Sequence, residues 1–236
     1  MFRAFLLILV FWTTVASGKQ MTWLLSDAHH MPYFDGQGNG YIEVLAQALA
    51  SEGWRIDLVQ LPRTRVESTM LTQQADLIAI TNPNWVDDRS KMLFSDAYIH
   101  QPMAMVSLPM PPITSFDQLA DKRVIEFAGY FYKEPYRSAE RLSTVYIYRP
   151  EQGYRMLLAD RADVLLLDSL ILDYQRSVDH RLAPLIKHDL LVSSDSVHFG
   201  IASDHPERDL MLEAINRVIA NNNMQDWMHQ FDLPSN

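Results

Sequence analysis

Residues 76–98 read Asp76-Leu-Ile-Ala-Ile-Thr-Asn-Pro-Asn-Trp-Val-Asp-Asp-Arg-Ser-Lys-Met-Leu-Phe-Ser-Asp-Ala-Tyr98. The apolar run Leu77, Ile78, Ala79, Ile80 lacks polar alternation and stops at turn-forming residues, which is the pattern of a buried strand. It runs out into Thr81-Asn82-Pro83-Asn84, a loop of hydrogen-bonding side chains held by a proline. Arg89 follows, and then an apolar patch with Phe94, Ser95 and Tyr98. Open α/β sheets bind small anions where a strand delivers polar groups to its C-terminal end, and a guanidinium suits that task. The competing reading is a surface arginine paired with Asp87 or Asp88.

The chain before this stretch alternates strands and helices. Thr22 to Ser26 reads as a strand, and a turn-rich loop from Asp27 to Gly40 follows it. Tyr41, Val44, Leu45, Ala48 and Leu49 keep helical spacing, and Gly53 is a natural stop. Arg55 to Leu61 alternates as a half-buried strand, and a helix is expected over Thr64 to Thr72. A β-α-β-α-β order of this kind implies a mostly parallel sheet with right-handed crossovers.

Another strand is expected at Met103 to Leu108. Pro109, Pro111 and Pro112 then exclude regular structure, and the alternation restarts beyond them. The second series comprises a short helix from Ser115, a strand at Arg123 to Phe127, and a helix over Tyr132 to Leu142. A strand at Thr144 to Tyr148, a helix from Pro150 to Asp160 and a buried strand at Ala162 to Leu167 come next, delivering Asp168 at its end. A helix from Ser169, an extended stretch at Leu185 to Val192, a short strand at His198 to Ala202 and two closing helices complete the chain.

The 236 residues are 48% hydrophobic and 21% charged, an ordinary globular composition. A net charge of −9 argues against a nucleic-acid partner or a polybasic membrane-surface role. Cysteine is absent, which removes disulfides, thiolate metal sites and a thiol nucleophile. Arg3, the apolar run Ala4 to Trp12 and the small residues up to Gly18 have the three-part layout of a cleaved signal peptide. The apolar run is far short of the ~20 residues that span a bilayer. Cleavage near Gly18 would take Arg3 and no acid, moving the charge from −9 to −10. Without a cysteine to carry a lipid anchor, an exported chain of this kind is expected in the periplasm, with secretion as the alternative.

Taken in order, several short segments resemble extracellular solute-binding protein family 3, the periplasmic amino-acid-type binding proteins of ABC import systems. They are Asp27 with Pro32-Tyr33-Phe34, Gly40-Tyr-Ile-Glu43, Ala75-Asp76 before its strand, and Arg89 with Phe94-Ser-Asp-Ala-Tyr98. In the second unit they are Leu119-Ala-Asp-Lys-Arg-Val124 and Asp160-Arg-Ala-Asp-Val164 leading to Asp168. The resemblance covers the whole mature chain and implies an α/β, two-lobed clamshell with mostly parallel central sheets. It places lobe 1 at residues 19–106 plus 197–236 and lobe 2 at 107–196, with hinge strands near Met103 to Leu108 and Ser193 to Phe199. It further implies a monomer that takes a small-molecule ligand, with an ABC permease or a membrane sensor as partner, no cofactor and no catalysis. In such proteins the arginine matching Arg89 pairs with a ligand carboxylate, and the acid matching Asp168 with an amino group. The aromatic after the first strand, in the region of His30, Tyr33 and Phe34, packs on the ligand side chain.

Thr81, Asn82, Arg65, Trp85 and Tyr130 complete the candidate ligand set. Asp168 can alternatively cap the helix that begins at Ser169, and Arg65 can pair with Glu67 or Asp57. Trp85 and Tyr130 can be lobe packing. Adjacent His29 and His30 lack a spaced metal-binding cluster, since neighbours in an extended chain point to opposite faces. The chain departs from the family where a Gly-Thr or Gly-Ser pair usually follows the second unit's first strand, since Ala128-Gly129-Tyr130 stands there. The loop Asn82 to Trp85 reads as an insertion, and Leu61-Pro-Arg-Thr-Arg65 resembles a Pro-Trp-x-Arg variant of divergent members. These departures point away from an ordinary α-amino acid. The enzyme alternative is a clamshell-derived catalyst of the cyclohexadienyl dehydratase type.

Overall fold

The computed structural model describes residues 19–28, 30–140 and 143–229; the expected signal segment lies outside them. Strand β1 (Lys19–Ser26) leads to helix α1 (Tyr41–Ser51), β2 (Trp54–Leu61), α2 (Arg63–Leu71) and β3 (Leu77–Thr81). Strands β2 and β3 flank β1, both parallel to it, as the β-α-β-α-β order requires. The short strand β4 (Met92–Phe94) was not foreseen; its three residues pair antiparallel with the last strand of the chain.

The faces of this first sheet follow from the two-residue period of a strand. Met21, Trp23 and Leu25 point to one side, where they share a core with Ile42, Leu45 and Leu49 of α1. Leu24 points to the other side, into a smaller core with Val66 and Met70 of α2 and Ile78 of β3. Every residue of β3 is buried, because helices cover both faces; hence its unbroken apolar run.

The second sheet is built around β6 (Arg123–Phe127), which runs parallel to both β7 (Ser143–Ile147) and β8 (Val164–Asp168). Helices α3 (Pro150–Leu158) and α4 (Ser169–Val178) flank β8 in sequence. Ile125, Phe127, Leu165 and Leu167 share a core with Tyr154 and Leu157 of α3 and Leu170 to Leu172 of α4. Val124, Val164 and Leu166 face the opposite way, with Leu119 and Tyr136.

Two long strands join the sheets. Strand β5 (Ile99–Ser107) pairs antiparallel with β8 and with β9 (Ile186–Ala202), and β9 goes on to pair with β3 and β4. The sheet order is β2-β1-β3-β9-β5-β8-β6-β7, with β4 on β9. The extended stretches expected separately at Leu185 to Val192 and His198 to Ala202 are thus one 17-residue strand. Helix α5 (Arg208–Asn221) packs Met211, Ala214, Ile215 and Val218 into the first core, and α6 (Met224–Met228) closes over it.

The helix expected over Tyr132 to Leu142 is corrected. Only a 3-10 turn, Tyr136–Ser138, forms among its described residues. Pro135 lacks the N–H a helix needs; buried Tyr136 donates its hydroxyl to Glu126, and the Tyr132 hydroxyl accepts from the Phe127 N–H instead.

Candidate functional site

The two sheets meet across a cleft whose floor is the pair of long strands. Met103 of β5 and Ser193 of β9 are directly paired there, and both line a cavity of about 450 Å3 counted out through its mouth. Gln101, two residues before Met103, lies on the same side of β5. The first lobe contributes Ile80 from the end of β3, Trp85 from the following loop and Arg63 from the start of α2; the second contributes Tyr130 and Phe131. Tyr130 stacks on Phe127, centroids 5.0 Å apart, and burial pushes its hydroxyl pKa up.

The lobes touch. A Cβ placed on Gly129 would lie 2.9 Å from Thr64 Cγ2 and 3.3 Å from the Thr64 nitrogen, and its φ of +75° already favours glycine. His30 Nδ1 lies 3.4 Å from Glu151 of α3. Deeper in, the Tyr33 hydroxyl of the first lobe donates to Asp168 Oδ2 at the end of β8. Gln101 Nε2 donates to the same oxygen at 2.7 Å, and the Leu170 N–H gives Oδ1 a 2.8 Å helix cap. Burial raises the Asp168 carboxyl to about 6, against the lowering effect of the Tyr33, Gln101, Leu170 and Ile171 donors. Burial and the Asp168 charge in turn hold the Tyr33 hydroxyl well above its ordinary value.

Of the residues singled out from the sequence, Trp85 and Tyr130 line the cavity. Asp168 lies buried behind its wall, with Tyr33 on it. Thr81 is buried, packs its methyl toward Gly200 and leaves its hydroxyl oxygen without a partner. Asn82 is spent on the loop: its Nδ2 donates to the Ser196 carbonyl at 2.6 Å, and its Oδ1 accepts from the Asn84 N–H. Phe34 packs half-buried against the first core. His30 keeps a buried Nε2 without a partner.

Arg89 and Arg65 stand exposed. Asp88 caps the 3-10 turn Arg89–Lys91 by accepting from the Ser90 N–H and hydroxyl, and Arg89 makes no ion pair among the described residues. The cation in the cavity wall is Arg63, which sequence reasoning passed over for Arg65. Two residues along a helix are turned by roughly 200°, so the two arginines face nearly opposite ways. Pro62 before Arg63 was the available signal, since a proline there sets the helix start and the side the first residue takes. Gln101 was missed because the strand expected at Met103 to Leu108 in fact begins at Ile99.

Solved structures share this architecture. The arginine-bound form of truncated ArgBP from T. maritima matches with a TM-score of 0.70 at 21% identity, over 86% of this chain and 95% of that one. The GluR0 ligand-binding core from Nostoc punctiforme in complex with L-glutamate matches at 0.72 and 16% identity, over 90% and 97%. The substrate-binding protein of an amino acid ABC transporter matches at 0.68 and 17%, over 86% and 92%. No family model and no curated protein matches the chain. The fold is therefore that of the two-lobed periplasmic binding proteins, as the sequence segments implied.

Proposed function

We propose that this protein captures a small solute in the cleft between its lobes and holds it without turning it over. One observation carries the reading: the cavity sits where both lobes and both connecting strands converge, and its lining joins one guanidinium to aromatic and apolar walls. Cavities of this size and mixed lining suit small ligands. Relative movement of lobes on two strands is the usual hinge device for enclosing a ligand, and closure strengthens polar contacts by excluding water.

The binding proteins that share the fold support this reading over catalysis. Among the described residues no helix is long and apolar enough to cross a membrane. We place the mature chain in the periplasm as a monomer, with lobe 1 at residues 19–106 plus 197–236 and lobe 2 at 107–196. It delivers its ligand to an ABC-type permease or presents its closed form to a membrane sensor. The site comprises Arg63, Trp85, Gln101 and Tyr130 in contact with the ligand, with Asp168 and Tyr33 joining the lobes behind it.

A thermal-shift screen of amino acids, polyamines, short peptides and organic acids tests the proposal. The expected result is one chemical class that raises Tm in proportion to the logarithm of its concentration. A protein that no member of the screen stabilises, and that instead turns over prephenate or arogenate, would transfer the reading to an enzyme.

A further inference from the structure

Given solute capture in this cleft, the lining narrows the ligand class. We propose that the ligand is a small organic acid with an aromatic or similarly flat apolar body and no ammonium group, its carboxylate held by Arg63 and its body lying on Trp85, Tyr130 and Phe131.

The sign of the charge comes from Arg63, the one charged residue among the described residues that line the cavity. A guanidinium offers five N–H donors in a planar fork, and Arg63 gives one of them, from Nη2, to the Trp85 carbonyl at 3.3 Å. The remaining donors suit a carboxylate, which a guanidinium grips through two parallel charge-assisted bonds. Glu67, one turn along α2, interacts electrostatically with Arg63 but makes its hydrogen bond to the Asp87 N–H, at 3.1 Å. Arg63 is also the first residue of α2, where the helix end adds positive potential.

The lack of an ammonium follows from the acids. A carboxylate has about four lone-pair sites. Those of Asp168 meet the Tyr33 hydroxyl, Gln101 Nε2 and the N–H groups of Leu170 and Ile171. An incoming ammonium would have to displace these buried donors. Asp27, at the turn after β1, keeps one buried oxygen without a partner, but it does not line the cavity. It is the competing acceptor, and the test includes it.

The body of the ligand meets aromatic faces and the side chains of Ile80 and Met103. Flat rings stack on such walls at little conformational cost.

Three probes with the same ring separate the charges: 3-phenylpropionate carries the carboxylate alone, L-phenylalanine both groups, and 2-phenylethylamine the ammonium alone. Isothermal titration of the protein is expected to rank them in that order, with about tenfold between the first two. Arg63→Gln should weaken 3-phenylpropionate by about tenfold or more at unchanged Tm, Arg63→Lys should recover only part of the loss, and Asp27→Asn should leave it unaffected. L-phenylalanine binding as tightly as 3-phenylpropionate would overturn the inference while leaving solute capture intact. So would 2-phenylethylamine binding best and losing affinity in Asp27→Asn. No response to these probes or to any compound in the wider screen would overturn both.

Discussion

The two walls of the cleft are built on opposite economies of hydrogen bonding. On the first lobe the polar groups keep capacity in hand. Arg63 uses one donor, Asp27 has an unpartnered oxygen, and the buried Thr81 hydroxyl oxygen has none. On the second lobe those around Asp168 and Glu126 are spent, although the buried Tyr154 hydroxyl is without a partner. Asp168 is met by four donors, the Tyr132 hydroxyl accepts from the Phe127 N–H, and the Tyr136 hydroxyl donates to Glu126. What the second lobe offers the cleft is surface, in Tyr130 and Phe131. A buried polar group that is fully paired stabilises structure and has little left for a ligand, whereas an unpaired one pays its desolvation cost until a ligand arrives. On the solute-capture reading proposed above, the first lobe supplies the polar recognition and the second supplies surface.

The strongest way to break this contrast is to empty the saturated side. Asp168→Ala strips an acceptor from Tyr33 and Gln101 and a cap from α4, and a loss of about 3–5 kcal/mol in urea unfolding is expected. A loss under about 1 kcal/mol would mean that those bonds are not what joins the lobes.

The same group sets a pH dependence of smaller size. Its carboxyl is raised to about 6, so the folded state binds more protons than the unfolded one between that value and the ordinary carboxylate range. The contribution is fully present below the unfolded pKa of about 4 and is lost as pH rises through about 6. Measured as wild type minus Asp168→Asn, stability should fall by about 2 kcal/mol between pH 4 and pH 7. A flat difference would place the carboxylate in a wetter setting than the buried one seen here.

Gly129 tests closure. An alanine there would be strained by the positive φ and would press on Thr64, so Gly129→Ala should cost about 1 kcal/mol and hold the lobes slightly apart. Small-angle scattering should then show a larger radius of gyration than wild type. Arg89 marks the smallest effect: it is exposed and makes no ion pair among the described residues, and Arg89→Ala should stay within about 0.5 kcal/mol in stability. Ligand affinity should also be unchanged by titration. A substantial loss of affinity would return the carboxylate-binding role to the position that sequence resemblance suggested.

Much of the fold was legible because it rests on short-range pattern. The unbroken apolar runs of β3 and β8 mark strands covered on both faces, and the prolines at 109, 111 and 112 mark the passage between the two α/β series. The helix expected over Tyr132 to Leu142, where only the turn Tyr136–Ser138 forms among the described residues, shows the limit. Its composition allowed a helix, but two tyrosine hydroxyls found buried partners on the strand beneath it. Such long-range bonds outweigh the weak local preference.

The candidate site was legible in kind and not in detail. An arginine and aromatic residues at strand and helix ends were read from the residues alone, and Trp85 and Tyr130 do line the cavity. Which arginine faces inward depends on helix phase, set by where α2 begins after Pro62 and by the packing of Val66 and Met70 beneath it. Whether Asp168 is open to a ligand depends on Tyr33 and Gln101, which lie 135 and 67 positions away in the chain. Sequence by itself determined two successive α/β series, since periodicity and turn residues act over a few positions, and the family resemblance implied that they form two lobes. Only the tertiary structure decided which polar groups are spent and which are free, because that depends on partners brought together across the fold.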